Sequence, residues 1–395
     1  MRGSASHPRR YIIVQPCCQL CNRLRVLVSA LALGILTNRA VLMDFDGSGS
    51  KSDYYGRFDD LFESPLRVQS TRTSRELRTA MTAGSERTLS WLHMMTGFLC
   101  DDPLSWQESV LIVQGSPAFL HSLRLSPSLA PAFDRAFGGL EGLFRDIVYE
   151  LLMPRAELVE EARAFVRGLA SAAVRPSTFV VGLHIRNGRD FRTRKLTEGE
   201  WSKLGVCARA LVPGLEHDGD GDGGRTVEAA YVIATESADS QAAATAALGA
   251  QATVYKTSLP KGGGDGASSS REGAKRALVE LLIVSMSNAT VLTPMSSFSE
   301  TAAALSGRPG LYFHFDKSRK FHFESATEVQ PGCFVPWTSE MPGSMNLHSL
   351  LGELTCAEDV RHASRGSRWV EPTGLRFLDG TSALPEKLAK KVTPF

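Results

Sequence analysis

The chain has 395 residues, of which 43% are hydrophobic and 22% charged, with a formal net charge of +2. That length exceeds one ordinary core and leaves room for two or three domains, and the composition is that of a soluble globular protein. It excludes a disordered chain, and the near balance of charge gives no electrostatic footprint for nucleic acid.

In chain order, the start "MRGSASHPRRYIIV" is basic but lacks an adequate apolar stretch before Gln15 and Pro16, so no signal peptide is expected. "YIIVQP" (11–16) predicts a strand, "NRLRVLVSALALGILTNR" (22–39) a helix, and "AVLMDF" (40–45) a second strand. Leu24, Leu27, Val28, Leu31 and Ile35 recur at helical spacing and make one apolar face, with Asn22 placed to cap it. Strand, helix and strand together predict a parallel crossover. The apolar run Val26–Thr37 is about a dozen residues, short of the roughly 20 that cross a bilayer, so no membrane span is expected.

Of seven cysteines, Cys17, Cys18 and Cys21 cluster, while Cys100, Cys207, Cys333 and Cys356 are scattered, and spacing alone does not assign pairing. Cys18-x-x-Cys21 has the spacing of a redox or zinc motif. No second CxxC or histidine pair completes a zinc set, and the cluster reads as structural or incidental thiols.

From Gly47 to about Thr88 the chain is polar and turn-rich, broken by "FDDLFESP" (58–65). "SVLIVQ" (109–114) predicts a strand, and Leu129–Ala170 a mostly helical segment interrupted at Pro154. From about Arg175 the strand–helix rhythm repeats through "TFVVGLHI" (178–185), "AAYVIAT" (229–235), "ATVYK" (252–256), a helix over 272–287, "ATVLTP" (289–294), a helix over 297–306 and "GLYFHF" (310–315). Alternation of that kind builds a doubly wound sheet. The Gly-rich stretches 214–224 and 261–273 read as flexible insertions. The expected domains are an α/β lobe over 1–170, a Rossmann-like lobe over 171–325 and an unassigned tail over 326–395.

Ligands of open α/β sheets bind at the carboxyl ends of strands, and the polar residues cluster at three such ends. In "CNRLR", Arg23 and Arg25 occupy the opening turn of a helix, whose positive end disfavours them, so either an anion sits nearby or they pair with Asp44 or Asp46. In "VVGLHIRNGRD" (180–190), His184 and Arg186 share a strand face and Gly188 permits a tight turn. Arg186 can present a permanently charged planar fork to a phosphate, or it can pair with Asp190. In "TPMSSFSETAAALSG" (293–307), Ser296 and Ser297 open a helix, which makes either an anion site or a plain cap in which Ser297-x-x-Glu300 is a capping box.

No G-x-G-x-x-G, P-loop or G-x-S-x-G motif is present, which argues against a dinucleotide oxidoreductase, a P-loop enzyme and an α/β-hydrolase elbow. No metal ligand set is assigned: Asp44-Phe45-Asp46 forms a short D-x-D triplet that surface acids form as readily, and Asp218, Asp220 and Asp222 read as a solvated loop.

With these clusters read, the sequence resembles fucosyltransferases of GT-B architecture, nearest to the plant xyloglucan group and more distantly the α1,6- and protein O-fucosyltransferases. The resemblance rests on "CNRLRVLVSALALGILTNRAVLMDF", "SVLIVQGSPAFLHSLRLSP", "VVGLHIRNG" and "ALVELLIVSMSNATVLTPMSSFSETAAALSG". It implies an α/β, GT-B-like fold with two Rossmann-like lobes facing across a cleft, and metal-independent, inverting transfer of L-fucose from GDP-fucose to a hydroxyl of a glycan or glycoprotein acceptor. No cofactor is expected besides the donor substrate, and the compartment implied is the Golgi lumen.

The same resemblance makes Arg186 the residue that stabilises the departing diphosphate. Ser296, Ser297 and their helix would hold it, with Asn22 and Arg23 across the cleft and His184 and Glu236 at the sugar or nucleoside. Asn187, Gly188 and Phe298 complete the expected donor contacts, and Asp190 and Asp44 are candidate bases by type. Two departures, Cys21 where the family usually has glycine and Glu236 where aspartate is more usual, leave a second reading open: a catalytically inactive nucleotide-sugar- or glycan-binding relative, or a transferase of another sugar nucleotide.

Overall fold

A computed structural model of the chain describes residues 10–43, 45, 56–64, 85–89, 98, 102–115, 118–140, 142–172, 178–186, 196–212, 228–235, 237–255, 270–293, 296–307, 311–313, 326–330 and 333–336. They fall into two units, dividing between Met153 and Pro154.

The first unit is built on the expected crossover. Strand β1 (Tyr11–Pro16), helix α1 (Leu20–Thr37) and strand β2 (Ala40–Met43) follow one another, and β1 pairs parallel with β2 from Tyr11 against Ala40 to Val14 against Met43. On its other side β1 pairs with β4 (Val110–Gly115), and β3 (Glu86–Leu89) lies beyond, so the order is β2-β1-β4-β3 with every pair parallel. Ile12, Ile13 and Val14 are all buried, as a strand covered on both faces requires. Strand β3 falls in the stretch expected to be a polar excursion. Its sequence "ERTL" carries only one buried residue, Leu89, so it lacks the apolar alternation that would mark it.

Helix α1 was expected to bury one face and instead is buried on nearly every side, Arg23 and Arg25 included. The sheet covers one side, and helices α3 (Leu120–Leu125) and α4 (Ala130–Phe137) pack against it as well. Its length and mean hydropathy of 1.5 would suffice to cross a membrane, yet 83% of it is buried inside the fold. The helix starts earlier than expected. Gln19 is its N-cap and Asn22 its third residue, so Asn22 does not cap it. Its end is the left-handed Asn38, φ 51°.

At the amino ends of these strands, arginines fasten the segment before β4. Arg39 donates to the carbonyls of Glu108 at 2.6 Å and Trp106 at 3.0 Å, and Arg10 to those of Trp106 at 3.4 Å and Thr37 at 3.1 Å. Arg87 pairs with the Glu108 carboxylate at 2.9 Å and lies 4.8 Å over the Trp106 ring. Burial, then the neighbouring Arg10 charge, lowers Arg39 to about 10, which still leaves it a cation at neutral pH.

The second unit is a seven-stranded sheet ordered β10-β11-β9-β8-β5-β6-β7. Its parallel core comprises β5 (Thr178–Ile185), β6 (Glu228–Thr235), β7 (Ala252–Val254), β8 (Ala289–Leu292) and β9 (Leu311–Phe313). An antiparallel hairpin, β10 (Ala326–Gln330) and β11 (Cys333–Pro336), extends it inside the region that sequence reading left unassigned. The chain runs outward from β5 through β6 to β7, then returns to start again at β8 on the opposite side of β5. The order therefore reverses between β5 and β8.

Alternation along β5 sends its side chains to two layers. Val181, Leu183 and Ile185 join a core with Trp201, Leu204 and Ala208 of α7 (Glu198–Ala210) and Ala244 of α8 (Ala238–Leu248). Gly182 faces the other way, toward α9 (Arg271–Met286). Helix α6 (Ala156–Ala172), read from sequence as closing the first lobe, packs on α9 and β5 and so belongs with the second sheet. Thr197 is the N-cap of α7, its N–H and hydroxyl both donating to the Glu200 carboxylate at 2.8 and 2.9 Å. The stretch 214–224 and most of 261–273 lie outside the described residues.

A methyl group on Gly182 would sit 2.7 Å from Ser287 Oγ and 3.2 Å from Val284 Cα, and the Ser287 hydroxyl is held on the Ile283 carbonyl at 3.0 Å. Gly182→Ala is therefore expected to lower the unfolding free energy by about 1–3 kcal/mol through overpacking. Urea denaturation of the two chains measures the difference.

Candidate functional site

The carboxyl ends of β5 and β8 lie side by side where the strand order reverses, the place at which open α/β sheets hold ligands. Helix α10 (Ser297–Ser306) begins five residues after β8 ends, so its amino-terminal N–H groups open beside those strand ends.

One threonine closes the arrangement. The Thr293 hydroxyl donates to the His184 carbonyl at 2.9 Å and accepts the backbone N–H of Arg186 at 3.0 Å, which uses it in both directions. The Thr293 N–H donates to Ser299 Oγ at 3.1 Å, and the same oxygen lies 2.7 Å from His184 Nδ1. Phe298, the neighbour of Ser299 in the first turn of α10, stacks on the His184 ring at 4.4 Å between centroids and 19° between planes. The ends of two strands and the start of one helix are thus joined by side chains whose polar atoms face one another.

The ionisation of His184 follows from its place. Burial, then the Arg186 charge, lowers it from 6.5 to about 3, so the ring is neutral throughout the physiological range. Ser299 Oγ accepts from the Thr293 N–H and shares a hydrogen bond with His184 Nδ1, and these two bonds fix the position and plane of the neutral ring. The positive charge at these strand ends belongs to Arg186.

Helix α10 was expected to open with a capping box from Ser297 to Glu300, and it does not. The extended residue before the helix is Ser296, φ −97° and ψ 120°, with no side-chain cap bond. Ser297 is already the first helical residue. The third is then Ser299, whose oxygen is committed to Thr293 and His184, and Glu300 falls one place beyond capping reach. Ser296 Oγ is buried, at 1% residue exposure, without a hydrogen-bond partner among the described residues. An unsatisfied buried hydroxyl costs about 1–3 kcal/mol, which an acceptor-rich ligand at the helix start would recover.

Other sequence-predicted residues divide as follows. Asn187, Gly188, Asp190, Glu236, Asp44 and Asp46 lie outside the described residues. The helix following Glu236 is capped by Ser237, which accepts from Ser240 N–H at 3.3 Å. In the first unit Asn22 is half-buried. Arg23 is fully buried, donating through Nε to the Cys18 carbonyl at 2.9 Å and through a terminal nitrogen to the Phe45 carbonyl at 2.7 Å, so it ties the β1–α1 turn to the chain beyond β2. Thr293 and Ser299 were quoted in the third cluster without a role. Only the pairing of β5 with β8 shows what their hydroxyls reach.

No protein-family model matches the sequence, and no curated protein does at a significant level. Among solved structures, a variant of Arabidopsis thaliana FUT1 in complex with GDP is similar at TM-score 0.56 and 17% identity, covering 84% of this chain and 75% of that one. The fucosyltransferase NodZ from Bradyrhizobium is similar at TM-score 0.45 and 14% identity, over 78% of this chain and 96% of that one. At such identities the likeness is one of fold. The chain has the α/β, GT-B-like fold that its motifs imply, with two units each built on a parallel sheet, and it shares that fold with FUT1.

Two measurements probe the strand-end network. Thr293→Val keeps the shape and removes both hydroxyl bonds, and about 1–3 kcal/mol of unfolding free energy should go with them. His184 binds a proton near pH 6.5 when unfolded and only near 3 when folded, so the unfolded state gains protons first and stability falls as pH drops through that window. Between about pH 7 and pH 5 the chain should lose about 1–2 kcal/mol more than His184→Gln does, as read from denaturation midpoints.

Proposed function

We propose that the chain is a glycosyltransferase that moves L-fucose from GDP-fucose to a hydroxyl of a glycan acceptor, with inversion and without a metal. The observation that carries this reading is the buried, unpartnered Ser296 hydroxyl at the start of α10, beside strand ends that hold Arg186 and a neutral His184. A helix start with spare N–H groups beside an arginine whose backbone N–H is held by Thr293 suits a diphosphate. The neutral ring of His184 brings no competing positive charge.

In the proposed reaction the bond from the anomeric carbon to the β-phosphate oxygen breaks and GDP departs. The acceptor oxygen bonds to the opposite face of that carbon, and the hydroxyl proton passes to a base, for which Asp190 and Asp44 remain the candidates by type. Charge accumulates on the leaving phosphate as the sugar takes on oxocarbenium character. Arg186 and the α10 N–H groups would meet that charge, the task a divalent cation performs in other transferases. The fold shared with a GDP-bound FUT1 structure supports the choice of nucleotide. Location in the Golgi lumen belongs to the same proposal, and the disulfide at Cys207 fits an oxidising compartment.

A donor screen with GDP-fucose, GDP-mannose and UDP-sugars should show fucose transfer, and GDP should raise the melting temperature where adenosine diphosphate does not. Arg186→Ala is expected to lower kcat/KM by about 100-fold or more while the far-UV spectrum is kept. Unchanged turnover in that variant would remove Arg186 from the mechanism, and GDP-fucose binding with no transfer to any glycan would reduce the protein to a binding module.

A further inference from the structure

The turn from β1 to α1 holds two adjacent cysteines in an arrangement that neither strand nor helix would produce. Successive side chains of an extended chain point to opposite sides. Here Cys18 adopts φ 67°, a left-handed conformation that residues other than glycine seldom take, and its side chain swings onto that of Cys17. The two Sγ atoms lie 2.8 Å apart. Both ends of the turn are pinned: Cys17 N–H donates to the Gly115 carbonyl at 3.3 Å, and the Cys18 carbonyl accepts from buried Arg23 at 2.9 Å. Those anchors hold the unfavourable backbone in place and keep the two sulfurs together. Both cysteines are reduced and half-buried, within reach of a small reagent, whereas Cys21 is reduced and sealed at 4% exposure.

We propose that Cys17 and Cys18 form a vicinal dithiol that closes reversibly to a disulfide on meeting a small disulfide oxidant of the glutathione class. A disulfide bond is about 2.05 Å long, so the sulfurs need to close by less than about 1 Å, which small side-chain rotations supply. In the first step the thiolate of one cysteine attacks the oxidant, forming a mixed disulfide and releasing one glutathione thiolate. The neighbouring thiolate then displaces the second. Two protein thiols lose two protons and two electrons, and one glutathione disulfide leaves as two glutathione molecules. Adjacent Cα atoms are about 3.8 Å apart, below the roughly 4.4–6.8 Å that unstrained disulfides span, so the eight-membered ring is readily reduced. It is a reversible modification of the turn that carries the Arg23 anchor, and it stands independently of sugar transfer.

The full-length chain is incubated with oxidised glutathione, denatured and alkylated with one reagent, then reduced and alkylated with a second. The tryptic peptide Tyr11–Arg23 contains all three cysteines. On most chains the first label should sit on Cys21 and the second on both Cys17 and Cys18, with no glutathione adduct before reduction, and a mild excess of reduced glutathione should reverse the pattern. First-reagent labelling of both Cys17 and Cys18, a lasting glutathione adduct on one of them, or a link through Cys21 overturns the proposal. Cys17→Ser should instead retain a stable glutathione adduct on Cys18, because the thiol that would displace it is gone. If that variant folds poorly, the map of the unaltered chain decides alone.

Discussion

The hydroxyl of Thr293 is the contact on which the candidate site depends. Parallel strands β5 and β8 pair through Leu183–Val291 and His184–Leu292, and beyond that point the ladder no longer holds their ends together. Thr293 continues the connection by other means, accepting from the Arg186 N–H and donating to the His184 carbonyl. Because its own N–H also reaches Ser299, the start of α10 is drawn to the same place. A helix start, a guanidinium-bearing backbone and an imidazole thereby acquire fixed relative positions at the reversal of strand order, without a loop having to supply them.

The charges follow the same logic of place. His184 sits between a phenyl ring and a hydroxyl, and burial, then the neighbouring Arg186 charge, disfavours its imidazolium. Neutral, it leaves the positive charge to Arg186. Ser296 keeps a buried oxygen unpaired among the described residues, the kind of local cost that binding sites retain because a ligand offsets it.

Arginine serves opposite ends in the two units. Arg23 and Arg39 are buried, and their printed partners are backbone carbonyls that close turns and fasten the segment ahead of β4. Arg186 is half-buried just past the end of β5, with its backbone N–H held by Thr293. Residue type and proximity to a helix start were the same in sequence for Arg23 as for a ligand-binding arginine. What marks Arg23 as structural is the pair of carbonyls that its guanidinium reaches.

Apolar periodicity alone determined the elements that pack: "YIIVQP" as β1, "TFVVGLHI" as β5 and 297–306 as α10 all stand where period-two and helical spacing put them. It failed where packing supplied the stability, as in the polar strand β3 and the hairpin β10–β11, and where burial on all sides replaced a single face, as in α1. Cap positions shifted too, from Asn22 to Gln19 and from Ser297 to Ser296, because a cap is set by where the backbone leaves the extended region and not by residue type alone. Strand order, the meeting of Thr293 with His184 across 109 residues, and the contact of Cys17 with Cys18 were decided by tertiary structure. Local spacing encodes which face of an element is apolar, whereas a hydrogen bond between distant residues exists only once the sheet has chosen its neighbours.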